Sequence, residues 1–232
     1  MIDKIRSEIQ KHAVAPEQRK AVFFKMGEGE YAAHDQFLGV PVPHLRAIAK
    51  QYRALALPII LEFLHSSINE ERLFALILMV ERYQTGNVAI REEIFKEYQC
   101  QIRYINNWNL VDASAHLIVG AYLYGKEKSY LATLAKSASL WERRIAIVAT
   151  WYFIRQNDFE WTIKLAEILM HDKEDLLHKA VGWMLREMGK RDEQPLLMFL
   201  EQHAHNMPRT MLRYALEKFS KAVRVDYMSR KT

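Results

Sequence analysis

Residues 173–190 read KEDLLHKAVGWMLREMGK, and their spacing decides the fold. Leu177, Ala180, Val181, Met184, Leu185 and Met188 fall on one side of a 3.6-residue helix, whereas Lys179, Trp183, Arg186 and Lys190 follow i, i+4, i+7, i+11 on the other. The same pattern recurs along the chain, divided by short polar or Pro-containing breaks, and no window alternates with period two. Spacing predicts helices near 43–53, 68–83, 107–124, 140–155, 173–190 and 208–221. Ser139 with Glu142 and Ser67 with Glu70 fit the reciprocal S-x-x-E cap, while Pro43 and Pro208 suit a first helical turn, where the missing N–H costs nothing.

Each of these six helices carries an alanine: Ala47, Ala75, Ala113, Ala146, Ala180 and Ala215, spaced 28, 38, 33, 34 and 35 residues apart. A recurrence of about 33–40 residues with two helices per unit marks a helical solenoid, because each pair buries its apolar face only against its neighbours. The expectation is all-α: a curved solenoid of HEAT-like antiparallel helix pairs, an α-α superhelix. It forms one helical-repeat domain over 1–232, with N-terminal helices in 1–35, repeats over 36–221 and a basic tail at 222–232. A non-repetitive helical bundle is the alternative.

Composition agrees. The chain has 232 residues, half of them apolar, enough for a sizeable core, and its eight Gly and six Pro are too few for the turns of a β-sandwich or barrel. One cysteine, Cys100, forms no internal disulfide, and the N-terminal MIDKIRSEIQ reads as an amphipathic helix start without a signal-peptide core, so a reducing cytoplasm is expected. The most apolar stretch, Leu73 to Val80, is enclosed by Glu70, Glu71, Arg72, Glu81 and Arg82, which argues against a membrane span.

Thirty-three Lys+Arg against 28 Asp+Glu leave a charge of +5, which permits an anionic partner without showing one. Placement is more informative than the sum. Arg46, Arg72, Asp112, Arg144, Lys179 and Arg213 lie one to three residues before the repeat alanines, and if the repeats are equivalent they line one surface. Five of the six are basic, and a row of cations suits a phosphate backbone. The tail adds Arg209, Lys218, Lys221, Arg224, Arg230 and Lys231 against Glu217 and Asp226, which suits either phosphate docking or a solvated terminus.

Two features suggest chemistry. Trp183 between Lys179, Arg186 and Lys190 suits stacking on a base or a cationic group; an intra-helix stack under its own cations, or burial on a neighbouring helix, is the plainer alternative. Asp112, four residues after Trp108, is the only acid between Glu97 and Glu127, in a stretch rich in aromatic and aliphatic residues. A carboxylate there needs a partner to stay ionised, for which Arg143 or Arg144 is the obvious choice. Such a carboxylate makes either a structural ion pair or a stabiliser of positive charge developing on a substrate. A metal centre finds no support: His203 and His205 stand without CxxC or HExxH. Neither GxGxxG, GxxxxGK[ST] nor GxSxG occurs, and no cofactor is expected.

At these residues the chain resembles the AlkD-type DNA alkylation repair proteins, DNA glycosylases built from HEAT-like repeats. Four blocks carry the likeness: Phe37-Leu38-Gly39-Val40-Pro41-Val42-Pro43-His44-Leu45-Arg46, Asn107-Trp108-Asn109-Leu110-Val111-Asp112, Trp141-Glu142-Arg143-Arg144-Ile145-Ala146, and Lys179-Ala180-Val181-Gly182-Trp183-Met184-Leu185-Arg186-Glu187. The resemblance implies excision of cationic N3- and N7-alkylated purines from duplex DNA in base excision repair. It assigns Trp108 and Trp183 beside the lesion, Asp112 beside its deoxyribose and Arg144 on the DNA backbone. Arg143, Lys179, Arg186, Lys190, Arg46, Arg72 and Arg213 are the further DNA-binding candidates. Some relatives keep the fold and lose the carboxylate or the aromatics, so a catalytically silent helical-repeat module that binds DNA or a protein is the competing expectation. Asn206-Met207-Pro208-Arg209-Thr210-Met211-Leu212-Arg213 looks like a variant of one branch. A monomer is expected, cytoplasmic and on the nucleoid when bound to DNA.

Overall fold

The computed structural model describes residues 1–14, 24, 27, 29–33 and 35–230. Among them no strand forms, and the extended segment after residue 35 makes a single parallel bridge, Gln36 to Ile68. The protein is all-α, as the spacing predicts. The chain divides into two compact units, Met1–Ser114 and Ala115–Thr232.

In the first unit the helices are α1 (Ile2–Gln10), α2 (Val42–Gln51), α3 (Leu57–Leu64), α4 (Asn69–Thr85), α5 (Val88–Cys100) and, after a 3-10 turn, α6 (Trp108–Ala115). Pro43 sits in the first turn of α2, as expected. Helix α4 packs on α2, α3 and α5 and is buried nearly all round, with Phe74 meeting Phe63 of α3 edge-on at 5.2 Å. Its N-terminus differs from the capping box expected at Ser67 and Glu70. Ile68 occupies the cap position, and the Glu70 carboxylate instead accepts the backbone N–H groups of Leu38 (3.0 Å) and Gly39 (2.8 Å). Gly39 must be glycine: its φ is +86°, and a Cβ would lie 1.9 Å from the Val14 carbonyl oxygen. Of the helices expected in 1–35, α1 is present; residues 15–23 fall outside the described part.

In the second unit a π-helical segment (His116–Gly120) leads into α7 (Ala121–Leu123), followed by α8 (Ser129–Ala135), α9 (Leu140–Arg155), α10 (Glu160–Leu169), α11 (Asp175–Arg191), α12 (Glu193–His203), α13 (Arg209–Ala215) and α14 (Lys221–Ser229). Helix α9 has its predicted cap, Ser139 Oγ accepting from Glu142 N, and is buried from Arg144 through Thr150 because the π segment, α8, α10 and α11 surround it. Helix α11 in turn packs on α13, with Gly182 at the crossing.

The alanine register holds at Ala75, Ala146, Ala180 and Ala215, all buried; Ala47 is exposed and Ala113 half-buried, so those two helices are rotated relative to the pattern. The region read as a basic tail is largely helix α14, started by the Ser220 hydroxyl accepting from Val223 N and seated by the buried Tyr227. The Tyr227 phenol donates to Glu201 at 2.6 Å, and burial together with that carboxylate pushes its pKa up to about 12.

The α11 to α13 crossing gives a direct test. A Cβ at Gly182 would stand 2.4 Å from the Met211 carbonyl oxygen and 2.6 Å from the Tyr214 Cβ. Gly182→Ala should therefore destabilise by about 1–3 kcal/mol through overpacking, despite alanine's better helix propensity, and a melting curve no lower than wild type would refute that crossing.

Candidate active site

The first unit contains an open cavity of about 580 Å³. Phe24, Phe37, Val40, Leu73 and Trp108 give it an apolar wall, and Arg46, Asn69, Glu70, Asn109 and Asp112 supply the polar groups. The sequence placed Trp108 and Asp112 on one face of a helix. They are the first and fifth residues of α6, and both border this space. Phe24 stacks on the Trp108 indole at 5.1 Å, nearly parallel, and tilts against Phe37 at 4.5 Å, so one face of Trp108 is already covered. Arg46, exposed on α2, stands on the same cavity.

Arg72 does not share that surface. It is 4% exposed, its guanidinium pairs with the buried Asp35 and donates to the Ser66 carbonyl at 3.1 Å, and this geometry removes it from the set available to DNA. Sequence alone could not have found the partner, which lies 37 residues earlier in a loop without helical periodicity.

In the second unit Trp183 is half-buried on α11. Its ring meets Trp151 at 5.0 Å, edge to face, and His116 backs Trp151 at 4.5 Å. Its indole N–H donates to Glu187 Oε1 at 3.2 Å, the oxygen that also receives Arg186 (3.2 Å) and Lys190 (2.7 Å). Glu187 thus gathers the indole and two cations that the spacing had grouped. Arg186 also pairs with Glu217. Lys179 bonds Asp175 at 2.7 Å and holds that carboxyl below the usual aspartate range, and with Arg213 it borders an open depression of about 460 Å³. Lys179–Asp175 is a weak surface pair, 38% and 55% exposed, in which a phosphate can replace the carboxylate, whereas Lys190, 41% exposed, leans on the shielded Glu187.

Two arginines of α9 behave differently. Arg144 is buried and donates to the Leu176 carbonyl at 2.6 Å. Arg143 makes a bidentate pair with Asp172 (2.6 and 3.3 Å) and donates to the Ser137 and Ala138 carbonyls, so its guanidinium is engaged in holding α9 to the loops around it. Among the described residues no group of three or more His, Cys, Asp or Glu is placed to hold a metal ion, and no helix is long and apolar enough to cross a membrane.

This helical architecture agrees with the comparisons. The DNA alkylation repair enzyme family model matches residues 5–219, and the chain belongs to that family. A solved structure, a predicted DNA alkylation repair enzyme from Enterococcus faecalis, superposes with a TM-score of 0.63 over 82% of this chain and 92% of that one, at 16% identity, which shows a shared fold. No curated protein matches the chain.

The Arg143 geometry predicts a split between stability and binding. Arg143→Ala should cost about 3 kcal/mol by leaving Asp172 unpaired in a largely buried position, with duplex DNA affinity changed less than twofold. A binding isotherm weakened more than tenfold in a variant that still melts like wild type would assign Arg143 to DNA instead.

Proposed function

We propose that this DNA alkylation repair protein is a glycosylase that excises N3- and N7-alkylated purines from duplex DNA. The observation that carries the reading is the placement of the Asp112 carboxylate, with Trp108, on the wall of the first unit's cavity. Alkylation at N3 or N7 leaves the purine cationic, so it departs as a neutral base and needs no general acid. What grows toward the transition state is positive charge on the deoxyribose, as in other glycosidic cleavages through oxocarbenium-like states. A fixed carboxylate in a partly apolar cavity stabilises that charge far better than water does, and it also orients a water toward the anomeric carbon. The Trp108 indole, which borders the same cavity, attracts the cationic lesion or the sugar.

Trp183 enters through the family resemblance alone, as a second aromatic surface; Arg144, which the resemblance puts on the DNA backbone, is as buried as Arg72 and bonded to the Leu176 carbonyl, and is left out of the phosphate contacts. Arg46, Lys179, Arg186, Lys190 and Arg213 are the proposed phosphate contacts. The reaction requires neither metal nor organic cofactor, because its leaving group is activated before the protein arrives.

Release of free N7-methylguanine from alkylated duplex DNA tests the chemistry. Wild type should release it, and Asp112→Asn should be about 100-fold slower or worse. Equal rates would remove Asp112 from the mechanism, and no release by either protein would favour a binding-only module. Phosphate contact has its own signature: Arg46→Ala should reduce the slope of log affinity against log salt by about 1, and an unchanged slope would take Arg46 off the DNA.

A further inference from the structure

Around the cavity lies a buried polar assembly to which neither the family resemblance nor the proposed chemistry gives a role. Asp35, 5% exposed, uses both carboxylate oxygens. Oδ1 receives the Arg72 guanidinium; Oδ2 accepts from Asn69 Nδ2 at 3.0 Å and from Asn107 Nδ2 at 2.7 Å. Asn69 then makes a reciprocal amide pair with Asn109, at 2.7 and 3.4 Å. One carboxylate thereby ties together the loop at residue 35, the first turn of α4 and the start of α6.

The two contacts with α6 are placed to fix its roll as well as its position. Asn107 opens the helix, its carbonyl accepting from Leu110 and Val111, and its side chain is held by Asp35. Asn109 is held by Asn69. Asn107, just before the helix, and Asn109, in its first turn, thus hold α6 at two points to one hydrogen-bonded Asp35–Asn69 pair. A helix tethered at two residues cannot roll without breaking one of the tethers. Trp108 and Asp112 stand on that same helix, and a small roll would swing both away from the space they border.

We infer that Asp35, acting through Asn107 and Asn69, is the positioning residue of the site, and that Arg72 serves to hold its carboxylate in place. The inference rests on the reading of Asp112 as the catalytic carboxylate, and it makes Asp35 a group that never touches the DNA. Electrostatic stabilisation of a developing charge depends steeply on placement, and a displacement near 1 Å can cost about 100-fold in rate.

Removing Asp35 would leave Arg72 buried without its counter-ion and endanger folding. Asn107→Ala is the better variant, since Asn107 is fully buried and does not line the cavity. Wild type and variant are prepared with 5-fluorotryptophan, whose five fluorine resonances are assigned by single Trp→Phe changes. The expected result is affinity for duplex DNA carrying N7-methylguanine within twofold of wild type, single-turnover release slowed about 100-fold, and a shift of the Trp108 resonance while that of Trp183 stays in place. Release within twofold of wild type, or an unmoved Trp108 resonance, would overturn the inference. So would a common shift of all five resonances, which would mean that the amides only stabilise the fold. If wild type releases no base, the glycosylase reading fails, and the Trp108 resonance still decides whether the assembly sets α6.

Discussion

Burial of the Asp35 carboxylate against the Arg72 guanidinium is the constraint around which the first unit is organised. Taking two charges out of water costs several kcal/mol per ion, and their attraction offsets this only when further hydrogen bonds complete the pair. Here two asparagine amides and the Ser66 carbonyl supply them. The same turn of α4 carries two more buried acids. Glu70 accepts the Leu38 and Gly39 N–H groups, and Glu71 receives Arg6 from α1. Four consecutive polar residues, Asn69 to Arg72, therefore tie one helical turn to three segments: Asn69 and Arg72 to Asp35, Glu70 to Leu38 and Gly39, and Glu71 to α1. An apolar turn would pack as well, but it would fix none of those segments directionally.

The second unit is held by other means. Its long helices α9 and α11 are buried through aliphatic residues and approach their neighbours closely, as at Gly182. Its charges fall into two groups with different physics. Arg143 and Arg144 are bound to carbonyls and, for Arg143, a shielded carboxylate, whereas Lys179 lies on an exposed partner, Asp175; Lys190 falls between, itself exposed but paired with the shielded Glu187. Exchange of a solvated carboxylate for a phosphate is nearly free, while exchange at a buried guanidinium requires desolvated groups to be exposed again. A row of cations equivalent by sequence is thus unequal in what it can offer to a polyanion.

That inequality marks the limit of what spacing alone conveys. Helical periodicity located α2, α4, α6, α9, α11 and the start of α13, because burial of a stripe is a local property of the sequence. It also put Trp108 and Asp112 together, since a four-residue separation on one helix suffices. The Ser139 cap was legible for the same reason, and the cap at Ser67 was not: Glu70 meets its partners through the loop at Leu38 and Gly39, about 30 residues away, in contacts without periodicity. Asp35 was missed entirely. An acid in an irregular segment reads as surface until the fold encloses it, and the asparagines that complete its shell look in the sequence like ordinary turn residues.

Asp35 also bears on why so spare a site can suffice. On the proposed chemistry the leaving base is already cationic; protonation, nucleophilic attack by a side chain and metal activation all become dispensable, and most of the remaining rate would come from one carboxylate facing the right atom. Such a mechanism moves the demand from the reactivity of groups to their placement. A solvent-exposed aspartate on a freely rolling helix would average its field over many directions and would be screened in most of them. A helix pinned at Asn107 and Asn109 holds one direction, at the expense of keeping an ion pair buried where an apolar contact would be simpler. The polar interior of the first unit and the short inventory of reactive groups at its cavity are then two sides of one design, in which order substitutes for reactivity.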